Sequence, residues 1–278
     1  MDIRNIKEEV PPTREGTELQ NMYSLGIQQF EGYRQIEKLP EAPLDVNNPY
    51  NQVILKDFIG RVIEELMEGY ESTSEVVKIC HKWGWNIEQL TEEEYTQVLN
   101  HLQNANEEQV DALGFYFTLF LYANIAPEDI LSWGTNHVMD YSDFKVNNLK
   151  DVMTLGIAMV TEGSIGLVNR FSMIDEDHES VKDYTPGFNT LSEASHEEEK
   201  ILLFNVVYEL NIARNLLKCR PWKQTQVMTK ELDFQYSLVK AFYLYMGFLG
   251  IQGFSEYSIY ELFFKKQRLN LWRQKTNY

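Results

Sequence analysis

Four carboxylates in the first half of the chain are spaced for joint chemistry. Glu65 and Glu68 stand in "EELME", with Glu64 adjacent, and Glu108 and Asp111 stand in "EEQVD". Residues three apart share one face of a helix, so each pair projects both carboxylates the same way. Two such helices side by side would converge four oxygen ligands, a set suited to a hard cation such as Mg²⁺. Carboxylates this close repel one another, and a cation removes that repulsion. Two plainer readings stay open. In a chain with 42 acidic residues, acids three apart also make solvated helix faces. The stretch "EEQVDALGFYFTLF" from Glu107 to Phe120 runs from acids into apolar residues, and a helix N-terminus favours carboxylates through its dipole.

The elements that must position these groups are helical nearly throughout. Asn21 to Leu39 has helical spacing and stops before Pro40. Asn51 to Ser72 reads as a long amphipathic helix. Thr91 and Glu94 make a capping-box signature for the helix "TEEEYTQVLNHLQ". A separate buried helix is expected to follow, opening near Glu107 and ending near Asn124. "APEDILSWG" starts a short helix, and "GTNHVMDYSDFKVNN" reads as a polar linker. Helical spacing resumes over Leu149 to Phe171. The acidic run from Asp175 to Lys200, with Pro186 and Gly187, reads as an exposed loop. Helices are then expected over Ile201 to Lys218, Lys230 to Gly250 and Ser255 to Trp272. The expected fold class is all-α.

The two halves echo one another. Leu25-Gly26-Ile27 recurs as Leu155-Gly156-Ile157, an offset of 130 residues. "RVIEEL" (Arg61 to Leu66) pairs with "NVVYEL" (Asn205 to Leu210) at an offset of 144. Glu108 to Ile125 pairs with Phe234 to Ile251 at an offset of 126. Helix order is the same in both halves. The expectation is a helical bundle built from two tandem, degenerate copies, 1–148 and 149–278, packed as one unit. On this alignment Glu65, Glu68, Glu108 and Asp111 correspond to Glu209, Ile212, Phe234 and Ser237. The second copy has lost three of the four acids.

Composition bounds the function. A net charge of −17 disfavours a protein that coats nucleic acid. Two cysteines, Cys80 and Cys219, exclude a disulfide framework and a cysteine-rich zinc site. The polar N-terminus carries no signal-peptide pattern, and no apolar run is long enough for a membrane span. The expected location is the cytoplasm. The five histidines show no metal spacing, and "GSIGLVN" (Gly163 to Asn169) lacks a phosphate-loop pattern.

Taken together, "EELME", "EQVD" and the apolar helix after it resemble the all-α nucleoside triphosphate pyrophosphatases. The likeness is greatest to the dimeric dUTPase and phage dCTPase/dUTPase branch. The C-terminal "IYELFFKKQRLNLWRQKTNY" is similar to that branch's Lys-Asn-x-x-Asn-x-x-Arg-Gln-x-x-Gly-Tyr segment. Lys266, Asn270, Arg273, Gln274 and Tyr278 fall on the pattern, while Gln267 and Asn277 depart from it. "LGIQQF" is similar to the branch's Leu-x-x-Gln, which places Gln28 at a base-binding position; its counterpart is Ala158. "HKWGWN" and "CRPWKQ" loosely resemble its Trp/Lys-rich loop.

The resemblance implies Mg²⁺-dependent hydrolysis of a pyrimidine deoxynucleoside triphosphate, dUTP or dCTP, to the monophosphate and pyrophosphate. It implies Glu65, Glu68, Glu108 and Asp111 as metal ligands, with Glu65 taking the proton from the attacking water. It implies Lys266, Asn270, Arg273 and Gln274 on the phosphates. Acids fall in one half and the tail in the other. That division suits a fused dimer with one composite site, either monomeric or a homodimer. The alternative is a degenerate relative that binds a nucleotide or a partner without turnover. No nucleic-acid or membrane partner is expected.

Overall fold

The computed structural model describes residues 3, 6–12, 14, 17–137, 145–160 and 192–276, and among these the chain is all-α. Eight helices run in the order α1 (Glu18–Glu37), α2 (Pro49–Lys82), α3 (Glu92–Tyr122), α4 (Pro127–His137), α5 (Leu149–Ala158), α6 (Glu193–Leu216), α7 (Glu231–Ile251) and α8 (Glu256–Thr276). Residues 161–191, which hold "GSIGLVN" and most of the expected acidic loop, lie outside the described residues, as do Asn277 and Tyr278. The end of that acidic run is helical, because α6 begins at Glu193 rather than at Ile201.

Local chemistry sets the helix ends. Pro49 opens α2, and the Asn48 side chain accepts from the Tyr50 amide. Thr91 and Glu94 cap one another's backbone amides at the start of α3, the full capping box. α1 ends where Lys38 turns left-handed, at φ 55°, ahead of Pro40. One expectation fails. "TEEEYTQVLNHLQ" and "EEQVDALGFYFTLF" are not two helices but the single 31-residue α3. The joining residues, Gln103 to Asn106, include neither glycine nor proline, so nothing interrupts the hydrogen-bond ladder. Glu108 and Asp111 therefore stand well inside a helix, and the N-terminal dipole does not account for them.

Packing follows from the apolar stripes. α2 lies along α3 and α6 along α7, making two long hairpins, while α5 packs on α7. α8 lies against α1 and α3, which puts the end of the chain on the first hairpin. One continuous core runs through both halves, from Leu19 to Phe263. At its centre Tyr116 stacks on Tyr245 with centroids 5.1 Å apart, and Phe117, Phe120 and Phe242 close around them. A smaller cluster of Val76, Cys80, Val98 and Leu102, joined by Trp85, holds the far end of the first hairpin. No single helix among the described residues is long and apolar enough to cross a membrane; only α3 with the start of α4 reaches that length, as a pair bent by 91°.

Two glycines let helices touch. A Cβ on Gly26 would lie 2.8 Å from the Cβ of Phe117. A Cβ on Gly156 would run into the backbone carbonyl of Tyr243 and reach 3.0 Å from the Gly247 amide nitrogen. Phe117 and Tyr243 are residues that the offset of 126 pairs. Gly60, by contrast, has nothing within 4 Å of its would-be Cβ in the middle of α2. Gly156→Ala is expected to destabilise the fold by about 1–3 kcal/mol through overpacking. Gly60→Ala should stabilise it by roughly 0.5–1 kcal/mol through helix propensity. Urea unfolding reads both, and equal signs for the two would refute the packing argument.

Candidate metal and phosphate site

α2 and α3 are held side by side, with Gly69 against Ala105, Glu108 and Gln109 and the Phe58 ring against Phe115 and Tyr122. Residues beside these contacts face each other at the edge of the interface. Glu65, Glu68 and Glu108 meet there, each offering a carboxylate oxygen within 4.8 Å of the others. Glu68 is exposed, while Glu65 and Glu108 are half-buried.

The electrostatics of the cluster are strained. Burial, followed by the charges of Asp111 and Glu108, pushes the Glu65 carboxyl up to about 8, and Glu65 and Glu108 share a hydrogen bond. Burial also raises Glu108, against the pull of Lys266. Near neutral pH the pair therefore holds a proton between two carboxyls that a cation would displace. Three oxygen donors, partly buried and mutually repelling, fit a hard divalent cation, with water completing its shell.

Asp111 takes a different place from the one expected. It turns from the cluster to Lys266, whose Nζ lies 2.9 Å from its Oδ2 and 3.3 Å from Oε2 of Glu107. Lys266 is almost fully buried. Burial disfavours its charge, yet Asp111 and Glu107 outweigh that and hold the ammonium above the usual lysine range. Asn270 hydrogen-bonds Asp111 as well, and Arg273 lies within its electrostatic reach. Lys266, Asn270 and Arg273 recur every three or four residues along α8, so one face of the last helix meets the acids of the first hairpin.

Gln274 points elsewhere. Its amide packs on Gly32 of α1, in space that any larger residue there would fill. Gln28 is exposed on the outer side of α1, and Gln29 takes the inward position. The reason is helical phase: Gly26, Phe30 and Tyr33 form the inward stripe, which Gln29 adjoins and Gln28 does not. The Gln29 Oε1 accepts from the buried Gln267, one of the two departures from the tail pattern.

Gln29 belongs to a cavity of about 210 Å³ that adjoins the cluster through Glu65. Phe30, Phe58, Phe115 and Leu39 give it apolar walls; Gln29, Tyr33, Thr118, Asp111, Asn270 and Arg273 supply polar groups. Arg61 closes one side. It grips Glu37 with two nitrogens at 3.3 and 3.0 Å, bonds Asp57 at 3.0 Å, and lies over the Phe58 ring. Sequence reasoning missed Arg61, Tyr33 and the aromatic walls. The Asp57–Arg61 spacing of one turn was the available signal, but it reads as an ordinary surface pair. "HKWGWN" makes the turn between α2 and α3, roughly 20 Å along α2 from Glu68 at 1.5 Å per residue.

Neither a protein-family model, nor a curated protein, nor a solved structure matches the chain.

A folded-state carboxyl raised above its unfolded value holds a proton that the unfolded chain has released. Stability then falls as pH rises between the two values. For Glu65 that window runs from 4.5 to about 8. In EDTA the thermal midpoint of the wild-type protein should therefore fall more steeply across this window than that of Glu65→Gln. Added Mg²⁺ should stabilise the wild type more at the upper end of the window than at the lower. Identical pH slopes for the two proteins would refute the proton-sharing pair.

Proposed function

We propose that the chain is a Mg²⁺-dependent nucleoside triphosphate pyrophosphatase with one composite site, acting on a pyrimidine deoxynucleotide. The observation that carries this is the meeting of three parts in one place. Glu65, Glu68 and Glu108 converge, Lys266, Asn270 and Arg273 approach them from α8, and an aromatic cavity opens beside Glu65. Each part suits one portion of a nucleotide.

Glu65, Glu68 and Glu108 would hold the cation, which when bound supplies charge neutralisation and polarises the phosphate under attack. Arg273, lining the cavity, is placed to grip phosphate oxygens with its fork of N–H donors. Lys266 keeps Asp111 and Glu107 neutralised, so that a polyanion can approach them, and Asn270 fixes the Asp111 carboxylate. Glu65, once the cation has displaced the proton it shares with Glu108, would be a free carboxylate placed to take one from water. Phe30, Phe58 and Phe115 would enclose the base, and Gln29 rather than Gln28 would read its edge. The cavity, at about 210 Å³, favours a single ring over a purine.

The fused-dimer reading has support of its own. Gly26 on Phe117 and Gly156 on Tyr243 are the same contact between residues that the repeat pairs. Tyr116 meets Phe242, its own counterpart at the offset of 126, with centroids 5.5 Å apart, as residues near a local two-fold axis do. In the second half Glu209, the counterpart of Glu65, is bonded at 2.5 Å to Lys240. A fixed ammonium there would stand where the first half needs a cation.

Purified protein with Mg²⁺ and each deoxynucleoside triphosphate in turn should release pyrophosphate from dUTP or dCTP. Glu108→Gln and Arg273→Ala should each lower kcat by about 100-fold or more, while Glu209→Gln should leave it within about twofold. Absence of hydrolysis with every substrate would sink the enzyme reading in favour of a binding protein.

A further inference from the structure

The opposite side of α2 carries a second arrangement that the proposed activity does not use. A groove of about 980 Å³ lies between α2, the end of α6 and the loop after it. Lys56, Arg214 and Arg220 line it, along with Trp222 and Met67. Arg61 also lines it but is held by Glu37 and Asp57; in a chain of net charge −17 the other three cations need a physical reason. Among the described residues no carboxylate pairs with any of them. Arg220 donates only to backbone, to the carbonyls of Leu217 and Cys219, both at 2.9 Å. Burial, then the charges of Arg220 and Arg214, pushes the Lys56 ammonium down to about 8. Two acids share the groove. Asp57 is bonded at 3.0 Å to Arg61, which it shares with Glu37, and Glu64 is exposed to solvent.

The groove is also built rather than incidental. The buried Gln52 amide clamps the loop to the start of α2. It accepts from the Cys219 amide at 2.8 Å and donates to Thr229 at 3.0 Å and to the Val46 carbonyl at 2.6 Å. Asn47 accepts from the Thr229 amide at 2.7 Å. Inside the loop Gln226 bridges the Arg220 amide and the carbonyls of Arg220 and Lys223. These bonds fix Arg220 opposite Lys56, with Trp222 75% exposed at the rim. A helix-dipole role would explain a cation at the end of α6. It does not explain Lys56, which comes from a different helix and has no partner there.

We infer that this groove is a second ligand site, taking a polyphosphate-bearing nucleotide with its phosphates on Lys56, Arg214 and Arg220 and its base against Trp222. Repelling cations with free donors gain most from an anion that satisfies several at once. An exposed indole is a stacking surface for any base.

The test uses the full chain in EDTA, which removes the cation that the acidic cluster would need to receive phosphate. ATP and inorganic tripolyphosphate are titrated by calorimetry at low salt. Both should bind wild type and Glu65→Gln alike, and binding should weaken as salt rises. Lys56→Gln combined with Arg214→Gln should weaken both at least about tenfold; neither side chain makes a hydrogen bond that its loss would break, and circular dichroism checks the fold. Trp222→Ala should weaken ATP and leave tripolyphosphate unchanged. No binding by wild type, equal binding by the double variant, or loss in Glu65→Gln would each overturn the site. An ATP affinity untouched by Trp222→Ala would overturn the assignment of the base to the indole.

Discussion

The Lys266 ammonium, buried between Asp111 and Glu107, is the contact on which the arrangement of the site depends. A buried ion pair adds little net stability, because desolvation consumes most of the Coulombic gain. Breaking one is severe, because it strands a charge. Lys266 can sit where it does only if α8 is docked on α3 in one register, and that register also brings Asn270 and Arg273 to the acids. The pair thus acts as a locator. It ties the last helix of the chain to the first hairpin and converts a hydrophobic contact, tolerant of sliding, into a defined juxtaposition of polar groups. It also turns the Asp111 carboxylate toward α8, so that three carboxylates meet at the cluster while the Asp111 charge still bears on Glu65.

The apolar core supplies the force that keeps those carboxylates together. Glu65 adjoins the buried Leu66 on α2 and Glu108 adjoins the buried Gln109 on α3, so helix packing determines their separation. Repulsion between them is opposed by the aromatic centre around Tyr116, Tyr245 and Phe242. Such a core is stiff at close packing and does not relax to relieve a surface strain. The shared proton on Glu65 is what remains when the acids cannot move apart.

Much of this was legible in the residues, and the failures have specific causes. Helix content, the capping box at Thr91 and the glycine triplets Leu25-Gly26-Ile27 and Leu155-Gly156-Ile157 all depend on local chemistry or periodicity. The spacing rule correctly put Glu65 with Glu68 on one face. It could not tell that Asp111 would find Lys266, because that pairing spans most of the chain. The split of α3 into two helices failed because a change from polar to apolar residues was taken for a boundary, although no breaker residue was present. Gln28 lies on the exposed side of α1 and Gln29 on the inward side, a difference of helical phase that adjacent identical residues do not announce. The aromatic cavity was invisible for a different reason. Its walls come from α1, α2 and α3, and each phenylalanine alone reads as core.

α2 carries opposite charges on different faces. Glu65 and Glu68 stand on the side facing α3, and Lys56 stands on the side facing the end of α6. Arg61 and Asp57 lie between the two, bonded to each other. Arg61 lines both the aromatic cavity and the cationic groove, and Asp57 is its only link to the groove side, whereas Glu37 holds it on the cavity side. The two faces are therefore separated by one guanidinium shared between Asp57 and Glu37. A helix with opposite charge on opposite faces would polarise any ligand that spanned both. Here the buried stripe of α2 and the Arg61–Asp57 pair keep the carboxylate cluster and the basic groove apart on a single rigid element.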